Sequence, residues 1–253
     1  MIENKRLKNI IFSFLSIVFW VGVWHLLSLR IDKSLLLPSP KETLEVFIEL
    51  AKTSDFWMIT LSSVENIFLG IVAGTAIGII ISALSYISPV FRHLFSPLLS
   101  LVKSVPVASI IILMLVWIGK DFVPFAISVM MVTPIVSSNL YEGFINIRGD
   151  LKEVTKVYAI PFKKRWTLLY RHSIMPYLLS ALKSALGLGW KAGIAAEVLC
   201  TPDNSIGLKL YESKIYMETP YVFAWTLTLV ILSLILEKVV IHIGEILLGG
   251  KRK

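Results

Sequence analysis

Read from the amino end, the chain alternates long apolar runs with shorter polar ones. Residues 10–29 form the first run, and others follow at about 60–86, 95–118, 122–141 and 174–199, with a last one starting near Tyr221 and reaching Glu237-Lys238. A helix needs about 20 mostly apolar residues to cross the hydrocarbon of a bilayer. The pattern therefore predicts an all-α polytopic bundle of about six transmembrane helices, folded as one membrane domain over residues 1–253. Between the runs, residues 30–57 hold PSPKETLEVFIELAK, where Leu44, Phe47, Ile48 and Leu50 alternate with acids. That is an amphipathic surface helix, too polar to cross. Residues 200–220 form a second polar loop on the same side, with a short helix expected around Leu208–Tyr216.

Within the apolar runs, single residues refine the picture. Gly70, Gly74 and Gly78 recur at four-residue steps along the second run, and Gly189 and Gly193 repeat the spacing in the fifth. In lipid such stripes let helix backbones approach closely, so all five glycines are read as helix packing. The third run contains Lys103 and Pro106, and the fourth Pro124 and Pro134. A proline inside a span removes a backbone hydrogen bond that neighbours must restore, so a kink is expected near Pro106. Arg92 and His93, after Pro89, read as a short inner loop, and Gly119-Lys120-Asp121 as a tight outer turn.

The longest polar insert lies between the fourth and fifth runs, in residues 142–173. Arg148, Lys152, Lys156, Lys163, Lys164, Arg165 and Arg171 make it strongly basic, which marks it as cytoplasmic by the positive-inside rule. Asp150 reads as an N-cap, with Glu153 three residues later completing a capping box. The helix that starts there ends before Pro161, which disfavours helical geometry at Ile160. Pro161 is then placed as the first residue of a second helix, with Phe162, Trp166, Leu169 and Tyr170 on one face. The insert reads as helix, turn, helix.

At these residues a resemblance enters. Glu153-Val154-Thr155, then Ala159, then Ser173-Ile174-Met175-Pro176-Tyr177 resembles the EAA loop of permease subunits of binding-protein-dependent ABC importers. The run GLGWKAGIAAEV at 187–198 is similar to the nitrate, sulfonate and taurine branch of that family. The likeness spans about residues 58–240. The family's loop has two alanines where this chain has Val154 and Thr155, glycine where it has Ala159, and a Leu-Pro pair where it has Arg171-His172. Alanine at position 159 implies either a turn without positive φ or one of different geometry.

The resemblance implies a permease of the bacterial cytoplasmic membrane that works as a homodimer. It implies two cytosolic ATPase subunits, which hold ATP and magnesium, and an extracytoplasmic substrate-binding protein. It assigns ATPase coupling to Glu153, Val154, Thr155, Ala159, Ile160, Pro161, Phe162 and Trp166.

Composition agrees with a membrane reading: 56% of the 253 residues are hydrophobic and 17% charged. The net charge of +8 is explained by orientation rather than by nucleic acid. Lys5, Arg6 and Lys8 place residues 1–9 in the cytoplasm, and Lys251-Arg252-Lys253 do the same for residues 248–253. Cys200 is the only cysteine, so neither an intrachain disulfide nor a multi-cysteine metal site is possible. Chemistry of other kinds is absent as well. Gly249-Gly250-Lys251-Arg252 lacks the spacing and hydroxyl of a P-loop, and the four histidines His25, His93, His172 and His242 are scattered.

Charge inside a span usually faces a bundle interior or a watery path. Lys103, Lys191 and Glu197, together with Pro106 at the expected kink, are the candidates for a translocation pathway or gate, with snorkelling as the alternative for the lysines. Lys191 and Glu197, six residues apart, do not share a helical face and need partners elsewhere. Glu65 is either solvated or lines a cavity. Two other functions remain open on sequence alone. One is an ion-coupled secondary transporter using Glu65, Lys191 and Glu197, and the other is a membrane scaffold that moves nothing.

Overall fold

The computed structural model describes residues 2–165 and 169–247, and among these every regular element is a helix. In order they are α1 (Ile2–Ile31), α2 (Pro40–Ala51), α3 (Ser54–Ile87), α4 (Pro89–Ser104), α5 (Val107–Ile118), α6 (Val123–Ile145), α7 (Gly149–Val157), α8 (Phe162–Arg165), α9 (Arg171–Cys200), α10 (Ile206–Ile215) and α11 (Thr219–Leu247). Among the described residues, four stretches are long and apolar enough to cross a membrane: Ile11–Ile31, Ser54–Ile87, Val123–Ile145 and Thr219–His242. The α4–α5 pair qualifies as one broken span. With 30 residues, α9 measures about 45 Å, longer than the bilayer's hydrocarbon, but it carries Arg171, Lys183, Lys191 and Glu197.

The expected third span over 95–118 is not one kinked helix. Helix α4 starts at Pro89, capped by Ser88, whose Oγ accepts from the Phe91 N–H at 3.2 Å. It stops at Ser104. Val105 is extended, with ψ 134°, and Pro106 becomes the N-cap residue of α5. The two axes differ by 105°. Pro106 lacks a donor and pushes Val105 out of helical geometry, and with both effects at one point the helix breaks. Arg92 and His93 consequently lie inside α4 rather than in a loop.

The chain forms two compact units, one of Met1–Met58 with Lys209–Val230, the other of Ile59–Leu208 with Ile231–Lys253. The first is held by aromatic contacts. Trp24 of α1 stacks on Phe223 of α11 at 5.6 Å and donates Nε1–H to the Pro38 carbonyl at 3.0 Å. Phe56 stacks on Trp225 at 5.2 Å and meets Phe47 of α2 edge-on at 6.1 Å. Helix α2 starts with a full capping box. The Ser39 Oγ accepts from the Glu42 N–H, and the Glu42 carboxylate accepts from the Ser39 N–H at 2.8 Å.

The second unit is built on a seam of small residues. A Cβ added to Gly70 would lie 2.6 Å from the Phe125 carbonyl oxygen, one at Gly74 2.8 Å from that of Val129, and one at Gly78 2.9 Å from that of Thr133. The backbone of α3 thus lies directly on α6. From the other side, a Cβ at Gly189 would meet Val132 at 2.8 Å, and one at Gly193 would meet Ser128 Oγ at 2.7 Å. Hydroxyls bridge the same seam: Thr133 Oγ1 donates to the Gly74 carbonyl and Ser128 Oγ to the Gly189 carbonyl, each at 3.3 Å. Close backbone approach gains dispersion contacts that lipid tails cannot replace. Beside it, Ile110 and Ile111 of α5 bury against Ile127 of α6 and Ala192 and Ala196 of α9.

Candidate functional site

Two cavities flank α4 and α6. The polar one, about 280 Å³, has Arg92, Ser96, Ser100 and Lys103 of α4 on one wall and Ser138 and Glu142 of α6 on the other. The other, about 440 Å³ and mostly apolar, is bounded by Val107, Met131, Pro134, Leu188 and Lys191, and again by Lys103. Lys103 therefore borders both. Its Nζ donates to Ser138 Oγ at 2.7 Å. Arg92 sits over the Tyr141 ring at 4.4 Å from the centroid, a cation–π contact that leaves its fork of N–H donors open at the edges.

Of the four pathway candidates, the structure brings Lys103 and Lys191 to one cavity. It puts Pro106 at the break between α4 and α5, next to Val107 of the cavity wall. Glu197 is elsewhere. Its side chain is buried, at 1% exposure, and its carboxylate accepts from Ser63 Oγ at 2.9 Å and from the Gly207 N–H at 3.1 Å. Ser63 Oγ in turn accepts from the Ile206 N–H at 2.9 Å. Glu197 thus satisfies the amino end of α10, where orphan donors and the helix dipole favour a negative charge. Gly207 is required there, because a Cβ would run into Glu197. Glu65 is exposed.

The basic insert has a definite local structure that differs from expectation at Asp150, Ala159 and Pro161. Helix α7 includes Asp150 in its first turn, so Asp150 is not the N-cap. The Arg148 guanidinium takes its carboxylate in a two-pronged contact, and that hydrogen bond holds the Asp150 carboxyl below its ordinary range. Glu153 is exposed. The second point is Ala159, whose φ is +45°. The turn does need a left-handed residue, and alanine supplies it.

The reason lies in the hydrogen bonds. The Ile160 N–H donates to the Thr155 carbonyl at 3.1 Å, the six-to-one bond of a Schellman ending, with Ala159 in the place glycine usually takes. Pro161 follows as a stop and, rather than being the first residue of the second helix as expected, takes the N-cap position of α8 (Phe162–Arg165), its carbonyl accepting from the Arg165 N–H at 3.0 Å. Val157 and Tyr158 project outward, 80% and 75% exposed, with Val154 beside them at 48%. Thr155 points in and is buried. Trp166 and the side chain of Phe162 lie outside the described residues, as do residues 248–253. Leu169 is buried, and Tyr170 hydrogen-bonds Tyr86 of α3, which stacks on Phe144 of α6 at 5.0 Å.

Residues 67–244 match the family of binding-protein-dependent transport system inner membrane components. The chain belongs to that family, whose members are transport subunits rather than ATPases. It is 24% identical over 237 residues to a probable ABC transporter permease protein of Brucella melitensis, covering 93% of this chain and 95% of that one. It is similar to the taurine transport system permease protein of Escherichia coli, at 24% identity over 85% of this chain and 80% of the relative. It also matches the nitrate import permease protein of Leptolyngbya laminosa, at 27% identity over 62% and 56%. The chain is thus a permease subunit of an importer.

Sequence reasoning missed the polar wall of α4. Arg92, Ser96, Ser100 and Lys103 stand at i, i+4, i+8 and i+11, a helical stripe that was hidden by reading Arg92 as loop. It also missed Ser63 and Gly207 as partners of Glu197, for which no local signal exists.

Proposed function

We propose that this permease carries a small anionic solute across the cytoplasmic membrane, driven by separate ATPase subunits that grip the segment 150–172. The solute is of the class named for its relatives, which include taurine and nitrate permeases. The carrying observation is the exposed ridge of Val154, Val157 and Tyr158 on α7. It is an apolar tip on a basic insert, held in shape by the Schellman turn, and a partner is needed to cover it.

The mechanism follows from connectivity. ATP and magnesium would be held by the ATPase pair and would supply the driving energy there; in this chain the insert would be displaced by that pair, and Leu169 and Tyr170 would pass the displacement into the start of α9. Helix α9 carries Lys191 on the cavity and Glu197 under α10, so movement at one end changes both. A second copy of the chain would complete the pathway, and an extracytoplasmic binding protein would deliver the solute to the side bearing α2 and α10. Both termini lie in the cytoplasm in this arrangement, as the basic residues near each end favour. Each partner acts only through its differential affinity for the two states.

The test is purification of the tagged full chain from cells that contain its own partners. An associated ATPase, stimulated by a binding protein, is the expected result. Solute uptake by vesicles holding this chain and no ATPase would overturn the reading in favour of ion coupling.

A further inference from the structure

The stripe on α4 has a property that packing does not explain. Arg92 and Lys103 are 11 residues apart, three helical turns and about 16 Å of rise, and both open on the same polar cavity. Neither forms an ion pair among the described residues. Ser96 and Ser100 fill the turns between them. Elsewhere in the chain, helical serines such as Ser82 and Ser128 return their hydroxyl proton to a carbonyl three or four residues back. Ser96 and Ser100 make no such bond among the described residues, so their hydroxyls are free to donate into the cavity.

We propose that this wall is an oxyanion track, on which a small sulfonate, nitrate or carboxylate group passes between Lys103 and Arg92 along the hydroxyls of Ser96 and Ser100. The inference rests on the permease reading and adds the surface that handles the solute's charge. Arg92 offers a planar fork that matches two oxygens of an oxyanion, whereas Lys103 offers a point charge. Lys103 also borders the apolar cavity together with Lys191, so the track continues past the polar cavity toward α9. Glu142 sits across from the stripe, leaving a net charge of one positive unit among the groups that line the cavity. A transport path has to bind well enough to admit an ion and weakly enough to release it. Two cations set against one carboxylate meet that requirement. At about 280 Å³ the space is at the small end of ligand sites, which suits a solute of a few heavy atoms.

The experiment uses the full chain in nanodiscs, with Cys200→Ala removing the one native thiol and Leu99→Cys placing a reporter on the cavity wall. The introduced thiol is reacted with an anionic and a cationic methanethiosulfonate of similar size. Two cations on the same wall, one on either side of the reporter along α4, should raise the anionic-to-cationic rate ratio on the order of tenfold. Millimolar ethanesulfonate or nitrate should slow the anionic reagent. Arg92→Gln with Lys103→Gln should abolish both effects, while Arg92→Lys with Lys103→Arg, which keeps the charge, should retain the rate ratio. An unchanged ratio in the neutral pair, no protection by either anion, or a thiol that neither reagent reaches would overturn the track. None of these readouts needs an ATPase or a binding protein. A failed track therefore leaves the coupling experiment unaffected, and a failed coupling experiment is recognised independently of this one.

Discussion

Ser63 and Glu197, 134 residues apart in the chain, meet through a 2.9 Å hydrogen bond in the interior of the second unit. The bond joins α3 to α9, and with the N–H groups of Ile206 and Gly207 it anchors α10 to both. A buried carboxylate left without these donors would be costly, and so would the donors left without it.

Glu197→Ala should therefore loosen α10 at its amino end and cost about 2–4 kcal/mol, seen as a lower melting temperature in detergent and faster proteolysis within residues 201–216. Glu197→Gln keeps one acceptor oxygen and should cost about half as much. Equal melting of the Ala variant and the parent would show that the anchor is not made.

At the Schellman turn, Ala159→Gly should stabilise the insert by about 0.5–1 kcal/mol, because glycine adopts the left-handed conformation without the Cβ strain of alanine. Ala159→Val should destabilise it by more than that. Hydrogen exchange at the Ile160 amide, which closes the turn, is the direct measure, and faster exchange in the glycine variant would contradict the assignment.

Gly74→Ala should disturb the α3–α6 seam by about 1–3 kcal/mol, since the new methyl meets backbone at Val129 that cannot rotate away. Gly187→Ala, on α9 with open space around it, should be neutral or slightly stabilising. Comparing the two melting temperatures tests whether contact or helix propensity governs these glycines.

The Arg148–Asp150 pair gives a pH prediction of definite sign. Arg148 lowers the Asp150 carboxyl below its ordinary 3.8, so the folded form binds that proton less readily than the unfolded one. The contribution is present above 3.8 and is lost as pH falls through the lowered value. Exchange protection at the first turn of α7 should be flat across neutral pH and fall only in strong acid. Asp150→Asn should remove the acid dependence. A transition near neutrality would assign it to another group.

Charge reversal at Glu153 tests the coupling role separately. Glu153→Lys in the assembled complex is expected to leave ATP hydrolysis running while uptake falls at least tenfold. Full uptake by that variant would contradict the transmission path.

Much of this was legible along the chain, for a common reason. The stripe Gly70, Gly74, Gly78 repeats at the helical period, and the structure seats it on α6. The stop at Pro161 followed from a missing donor. The broken span was not legible, because a proline in a helix produces either a kink or a break depending on what packs beside it. Reading Arg92 and His93 as loop then concealed the stripe to which Arg92 belongs. Asp150 had the residue type and spacing of a cap, but the Arg148 side chain competes for its carboxylate. At Ala159 the residue argued against positive φ, and the six-to-one bond to Thr155 overrode a preference of about 1 kcal/mol.

What the amino-acid order determined by itself was the helical membrane architecture, the basic insert and the residues able to share a helix face, because each depends on neighbours within about one turn. Which faces meet was decided only in three dimensions. Lys103 and Lys191 came to one cavity while Glu197 went to the end of α10, since burying a charge requires donors that lie far away in sequence and become neighbours only when α3, α6 and α9 close on their glycines.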